Sequence, residues 1–126
     1  MIYALSLMTR ASLAMPADLH NPTGLPVYPN VDNARLDDQL RTDDLGRWCM
    51  HLSARSLDSL VTVENWYRHA LSTASETDLR NDGDYESSYV ELDGIKLTVN
   101  LAFVAVYKTS KGAATSIDIV RCGSAR

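Results

Sequence analysis

The sequence predicts an α+β fold: an antiparallel sheet of about four strands with one main helix, about residues 57–74, packed on one face. The order is strand, helix, strand, strand, strand. Three observations carry this. Apolar and polar residues alternate from Arg47 to Arg55, apolar residues recur at helical spacing from Leu60 to Ala74, and turn-forming residues separate the later apolar runs. A chain of 126 residues suits a single domain, 1–126, with 1–34 as an N-terminal arm and proline-rich connector and 47–122 as the core. With 45% hydrophobic and 22% charged residues, the composition argues against intrinsic disorder.

Taken in order, residues 1–15 suit a short apolar helix. A secretory leader would want an early basic residue and an unbroken apolar core, and Arg10 interrupts that core. No run of about 18 apolar residues occurs, so no transmembrane helix is expected. Pro16, Pro22, Pro26 and Pro29, with Asn21, Gly24, Asn30 and Asn33, read as an extended connector. Residues 35–46 are acidic and polar, suited to a helical turn or a short edge strand. Trp48, Met50, Leu52 and Ala54 then alternate with Arg47, Cys49, His51, Ser53 and Arg55, giving a strand with one apolar face. Ser56 or Asp58 can cap the helix. Leu60, Val63, Tyr67, Ala70, Leu71 and Ala74 form its buried stripe, with Trp66 at the margin and a Glu64–Arg68 pair on the solvent side.

Ser75 to Tyr85 reads as a loop and Ser87 to Leu92 as a strand. Asp93-Gly94 reads as a hairpin turn into one long strand from Ile95 to Tyr107. On one side of that strand lie Ile95, Leu97, Val99, Leu101, Phe103, Ala105 and Tyr107. On the other, polar Lys96, Thr98 and Asn100 give way to apolar Ala102, Val104 and Val106. That second apolar strip needs a cover: the N-terminal segment, a second copy of the chain or a small apolar ligand. Thr109 to Gly112 is a further turn, and Thr115 to Cys122 is the last strand, with Ile117 and Ile119 inward.

Candidate chemistry falls on the outer sheet face. Alternation places Arg47, Cys49, His51, Ser53 and Arg55 there, joined by Lys96, Thr98, Asn100, Ser116 and Asp118. Basic side chains, a histidine and hydroxyls can bind an anionic small molecule or an acidic segment, and such a face can equally be plain solvated surface. Cys49 and Cys122 share it, leaving one disulfide or two free thiols open. No metal or cofactor is expected: the three histidines (His20, His51, His69) form no ligand pattern, and Asp37-Asp38, Asp43-Asp44 and Asp82-Gly83-Asp84 lack the spacing of a calcium loop. No P-loop, dinucleotide fingerprint or nucleophile elbow occurs, so no catalytic residue is assigned. The net charge of −4, without a basic block, argues against a nucleic-acid partner.

Leu25-Pro26-Val27-Tyr28-Pro29-Asn30 resembles the Pro-x-Tyr-Pro-Gly-Ala opening of small bacterial exported or lipoprotein-like domains, with Asn30 in place of the Gly and Val31 in place of the Ala. Asn65-Trp66-Tyr67-Arg68 matches their helix. The resemblance covers roughly residues 25–122 and implies an α+β fold with no established activity. A short chain of this kind also resembles the products of mobile gene cassettes, such as those of integrons.

These readings lead to a bacterial, non-enzymatic binding or protein-interaction domain. It is expected to be a homodimer through Ala102, Val104 and Val106, with no membrane partner. A cytoplasmic location is favoured and export is left open. The alternative is a small-ligand binder or minor enzyme with a pocket between helix and curved sheet, as in domains resembling the nuclear-transport-factor-like group. Trp48, Trp66, Tyr67 and Tyr107 would line that pocket, with His51 or Asp118 at its polar end; over the outer face and this pocket together, the candidate ligand-binding residues are Arg47, His51, Arg55, Trp66, Tyr67 and Tyr107.

Overall fold

The computed structural model describes residues 23–42, 47–83, 92–109 and 112–125. The expected N-terminal helix, the leader-like stretch, His20, Asp43-Asp44, Asp84 and most of the strand read over Ser87–Leu92 lie outside the described residues. The described residues form six strands and one α-helix: β1 (Asp32–Thr42), β2 (Arg47–Ser56), α1 (Leu60–Ala70), β3 (Ser75–Asp78), β4 (Leu92–Val99), β5 (Ala102–Thr109) and β6 (Thr115–Ala125). They form a single sheet in the order β1-β2-β6-β5-β4-β3, every neighbouring pair antiparallel. The α+β class and the antiparallel sheet under one helix hold. The count of about four strands is corrected to six.

The two extra strands come from segments with weak signals. β1 occupies residues read as connector and acidic stretch, and pairs with β2 through two register shifts. β3 is only four residues, Ser-Glu-Thr-Asp, within the stretch read as a loop. Both lie at the sheet edges, where pairing on one side suffices and polar side chains are tolerated.

The single long strand over 95–107 is also corrected. Asn100 takes a left-handed backbone, φ 54°, which asparagine accepts more readily than most residues. The chain reverses there through Asn100-Leu101, and Val99 pairs with Ala102. Asp93-Gly94, read as the turn, lies inside β4. Gly94 opposes Tyr107, where an added Cβ would collide with the Val106 carbonyl oxygen and lie 2.7 Å from Tyr107 Cα. A reversal of this kind inverts the facing rule. Ala102, Val104 and Val106 join Ile95 and Leu97 under the helix, while Phe103, Ala105 and Tyr107 turn to the other face.

Helix α1 is shorter than expected. Its N-cap is Ser59, whose Oγ accepts from the Thr62 N–H at 3.2 Å; Ser56 Oγ instead accepts from the Asp58 N–H at 3.1 Å. Val63 and Tyr67 are fully buried against Leu52, Ala54, Val104, Val106, Ile117 and Ile119. Ala70, expected in the stripe, is exposed, and Glu64, expected on the solvent side, is buried. Arg68 turns to Glu76, donating from Nε at 2.9 Å and from a second guanidinium nitrogen at 3.0 Å. Burial pushes the Glu64 carboxyl above its ordinary range, against the pull of Arg68.

From residue 23 on, the proline-rich stretch is a packed strap. Leu25 and Tyr28 belong to the core. Tyr67 hydroxyl donates to the Pro26 carbonyl at 3.0 Å and accepts from the Tyr28 N–H at 2.9 Å. Tyr28 and Tyr67 each meet Trp66 edge to face, at centroid distances of 5.5 and 4.8 Å. At its outer end Tyr28 hydroxyl donates to Asp58 at 2.5 Å, which raises the tyrosine pKa and, with a bond from Asn30, lowers that of Asp58.

Candidate functional site

The face away from α1 carries the site. Register across the strands arranges it in rows. Arg55, Ser116 and Tyr107 stand side by side on β2, β6 and β5. In the next row stand Arg35, Ser53, Asp118 and Ala105 on β1, β2, β6 and β5. His51 follows one row further along β2. Ser116 is the middle of the first row and Ser53 and Asp118 the middle of the second, while Arg55, Tyr107 and Arg35 stand at the ends. Small side chains between large ones make a hollow. A cavity of about 680 Å³ opens there, lined among others by Arg35, Ser53, Arg55, Tyr107, Ser116 and Asp118.

Asp118 organises the floor. It is a diagonal neighbour of both His51 and Tyr107, the offset that long side chains bridge. One carboxylate oxygen lies 3.0 Å from His51 Nε2, and the other accepts from Tyr107 hydroxyl at 2.8 Å. The Asp118 side chain is 13% exposed and that of His51 is 41% exposed. His51 and Tyr107 therefore help to hold the carboxylate at the wall of the cavity. In contrast, Arg35 and Arg55 are exposed, and among the described residues neither guanidinium has a hydrogen-bonded or ion-paired partner. Such cations at a cavity wall are free to engage an incoming anionic group.

Two neighbouring features complete this face. Cys49 and Cys122, directly opposed on β2 and β6, form a disulfide with Cα atoms 4.0 Å apart. Toward β3, Lys96 pairs with Asp82 at 2.5 Å and lies 5.1 Å from the Phe103 ring centroid. Asp82, read as a solvated loop residue, is thereby buried.

The candidate ligand set divides. His51, Arg55 and Tyr107 come together on the outer face. Trp66 and Tyr67 sit on α1 across the sheet, so they share no pocket with the first three. Arg47 starts β2; its side chain lies outside what is described. The cavity lies on the outer face, where the alternation places the basic and hydroxyl side chains, and the space between helix and sheet around Tyr67 and Leu52 is filled core. Ala102, Val104 and Val106, the strip read as an interface, are 1%, 0% and 0% exposed and belong to the chain's own core. Arg35 was missed. It lies in the stretch read as acidic and polar, and only the pairing of β1 with β2 brings it beside Ser53. His69 is exposed on α1. No group of three or more metal-ligating side chains occurs among the described residues, and no described helix is long and apolar enough to cross a membrane.

Comparison with family models, with curated proteins and with solved structures returned no match. The resemblance of the Pro-x-Tyr-Pro opening thus has only its own residues behind it, and the site must be read from its chemistry.

Proposed function

We propose that this chain is a binding domain that takes a small molecule bearing an anionic group in the outer-face cavity. One observation carries the reading: Arg35 and Arg55 wall a hollow floored by serines and are without partners among the described residues. Guanidinium groups pair with carboxylates and phosphates through parallel N–H donors, and a concave site strengthens that pairing by excluding water. Ser53, Ser116 and Tyr107 add hydroxyls at the same wall. Self-association was expected from a strip that lies in the core, so ligand binding takes precedence over it.

The test is an amide-resonance titration with small anions, comparing the unsubstituted protein with an Arg35→Ala, Arg55→Ala double variant. The reading expects shifts at Ser53, Ser116 and Asp118 that saturate, and about a hundredfold weaker binding in the double variant. Equal binding by both proteins would sink it.

A second reading has its own observation. His51, Asp118 and Tyr107 are linked by hydrogen bonds, with Asp118 and Tyr107 at the cavity wall, an arrangement that could serve a minor acid–base enzyme. Turnover of a bound ligand, followed by proton spectra over hours, separates it from simple binding. The disulfide supports export over a cytoplasmic location, because such bonds persist in oxidising compartments. An intact mass without the two-proton loss under non-reducing conditions would count against that.

A further inference from the structure

The cavity is not uniformly positive, and its two poles say more about the ligand than its arginines alone. Arg55 and Asp118 are diagonal neighbours across β2 and β6, since Arg55 pairs with Ser116 and Asp118 stands two residues further on. Such positions lie about 7–8 Å apart. Arg35 and Asp118 flank Ser53 in one row. A simple anion drawn to the guanidinium groups therefore meets a like charge across a gap spanned by a few bonds. A phosphate dianion would meet it twice over. A ligand with its own positive end gains where a simple anion loses. His51, one row beyond, and Tyr107, in the Arg55 row, hold the carboxylate in place, so the negative pole is fixed before anything binds.

We infer that the cavity takes a zwitterion, a small amino-carboxylate, with its carboxylate on Arg35 and Arg55 and its ammonium on Asp118. The inference rests on the anion-binding reading and adds the second pole. It also makes Asp118 a specificity-determining residue. The volume of about 680 Å³ leaves room for a side chain beyond the two charged groups.

Three probes separate the terms: L-alanine, propionate and inorganic phosphate. Alanine and propionate differ only by the ammonium group. In amide-resonance titrations of the full chain at neutral pH and fixed ionic strength, alanine is expected to bind about tenfold tighter than propionate, with phosphate weaker than alanine. Asp118→Asn keeps the shape and removes the charge. It is expected to erase most of the alanine advantage and to strengthen phosphate severalfold. A retained amide spectrum checks that the variant is folded, and the three-probe ranking in the unsubstituted protein needs no variant at all. Equal affinity for alanine and propionate, or a preference for phosphate, would overturn the zwitterion while leaving the anion reading intact. Failure of all three probes to bind would overturn both.

Discussion

On the α1 side of the sheet, Leu52, Val104, Ile117 and Ile119 are fully buried and pack on Val63 and Tyr67. Their neighbours in the chain, Ser53, Ala105, Ser116 and Asp118, face the other way, across a floor of small side chains with charge at its edge. Strand residues one apart point to opposite faces, so adjacent positions serve opposite ends. One face supplies apolar burial and therefore stability. The other leaves two guanidinium groups without partners among the described residues, an arrangement that adds nothing to folding and is available for binding.

The contrast breaks most sharply at Val104. Val104→Asp puts a carboxylate where the native residue is 0% exposed, among Leu97 and Ile119. The cost is about 5 kcal/mol or more, enough to unfold a domain at the lower end of ordinary stability. Circular dichroism should show the loss of cooperative melting. Arg55→Ala, on the other face, should move the midpoint by no more than about 0.5 kcal/mol. A folded Val104→Asp protein with altered oligomeric state would restore the interface reading of Ala102, Val104 and Val106.

One element of the outer face does bear on stability. The Cys49–Cys122 bond joins positions 73 residues apart in sequence, so it removes much freedom from the unfolded chain. Replacing both cysteines by alanine should cost about 2–4 kcal/mol, read as a lowered denaturation midpoint. Reductant should lower the midpoint of the unsubstituted protein and leave the double variant unchanged. Equal midpoints for the two proteins without reductant would remove this exception and make the contrast between faces complete.

How far the sequence shows this contrast depends on signal strength. The facing of β2 is legible because five polar residues alternate with four apolar ones without a break. The facing of β6 follows from Ile117 and Ile119. The facing of β5 is not legible. Asn100-Leu101 holds neither Gly nor Pro, so a two-residue reversal reads as strand, and the facing of Ala102, Val104 and Val106 reads inverted. Arg35 was hidden for another reason. β1 has no clean alternation, and its two register shifts mean that no fixed period places its residues. A site assembled from four strands is legible only when every register is known. His51, Arg55 and Tyr107 emerged as candidates, but Trp66 and Tyr67 joined them because aromatic residues suit a core and a pocket equally.

Tyr67 sharpens the same contrast from the helix. Its ring is core and its hydroxyl bonds both the Pro26 carbonyl and the Tyr28 N–H. Burial raises its pKa, so it stays a neutral donor and acceptor across the working range. Tyr67→Phe keeps the ring and orphans the strap's backbone groups, for about 1–3 kcal/mol. Amide exchange should accelerate at Tyr28 before the sheet is affected. Loss of ligand affinity in this variant would show that the strap reaches the outer-face site.

The smallest effect expected is at Glu64, a charge on the stability side. Burial is the main cause of its raised pKa, the carboxylates of Asp93, Glu76 and Asp78 add to it, and Arg68 opposes it. The folded pKa therefore lies above the unfolded one. Below the unfolded value the group is protonated in both states and costs nothing. As pH rises through the window between the two values, the folded protein holds the proton longer and stability falls. Above the folded value the penalty is complete. Glu64→Gln should thus be more stable than the unsubstituted protein at pH 7, with the gain shrinking as pH falls and gone below about pH 4. Denaturant midpoints at pH 7, 5.5 and 4 measure it. A gain of the same size at all three would mean that packing, rather than the buried charge, sets the difference, and the α1 side would then carry no electrostatic cost at this position.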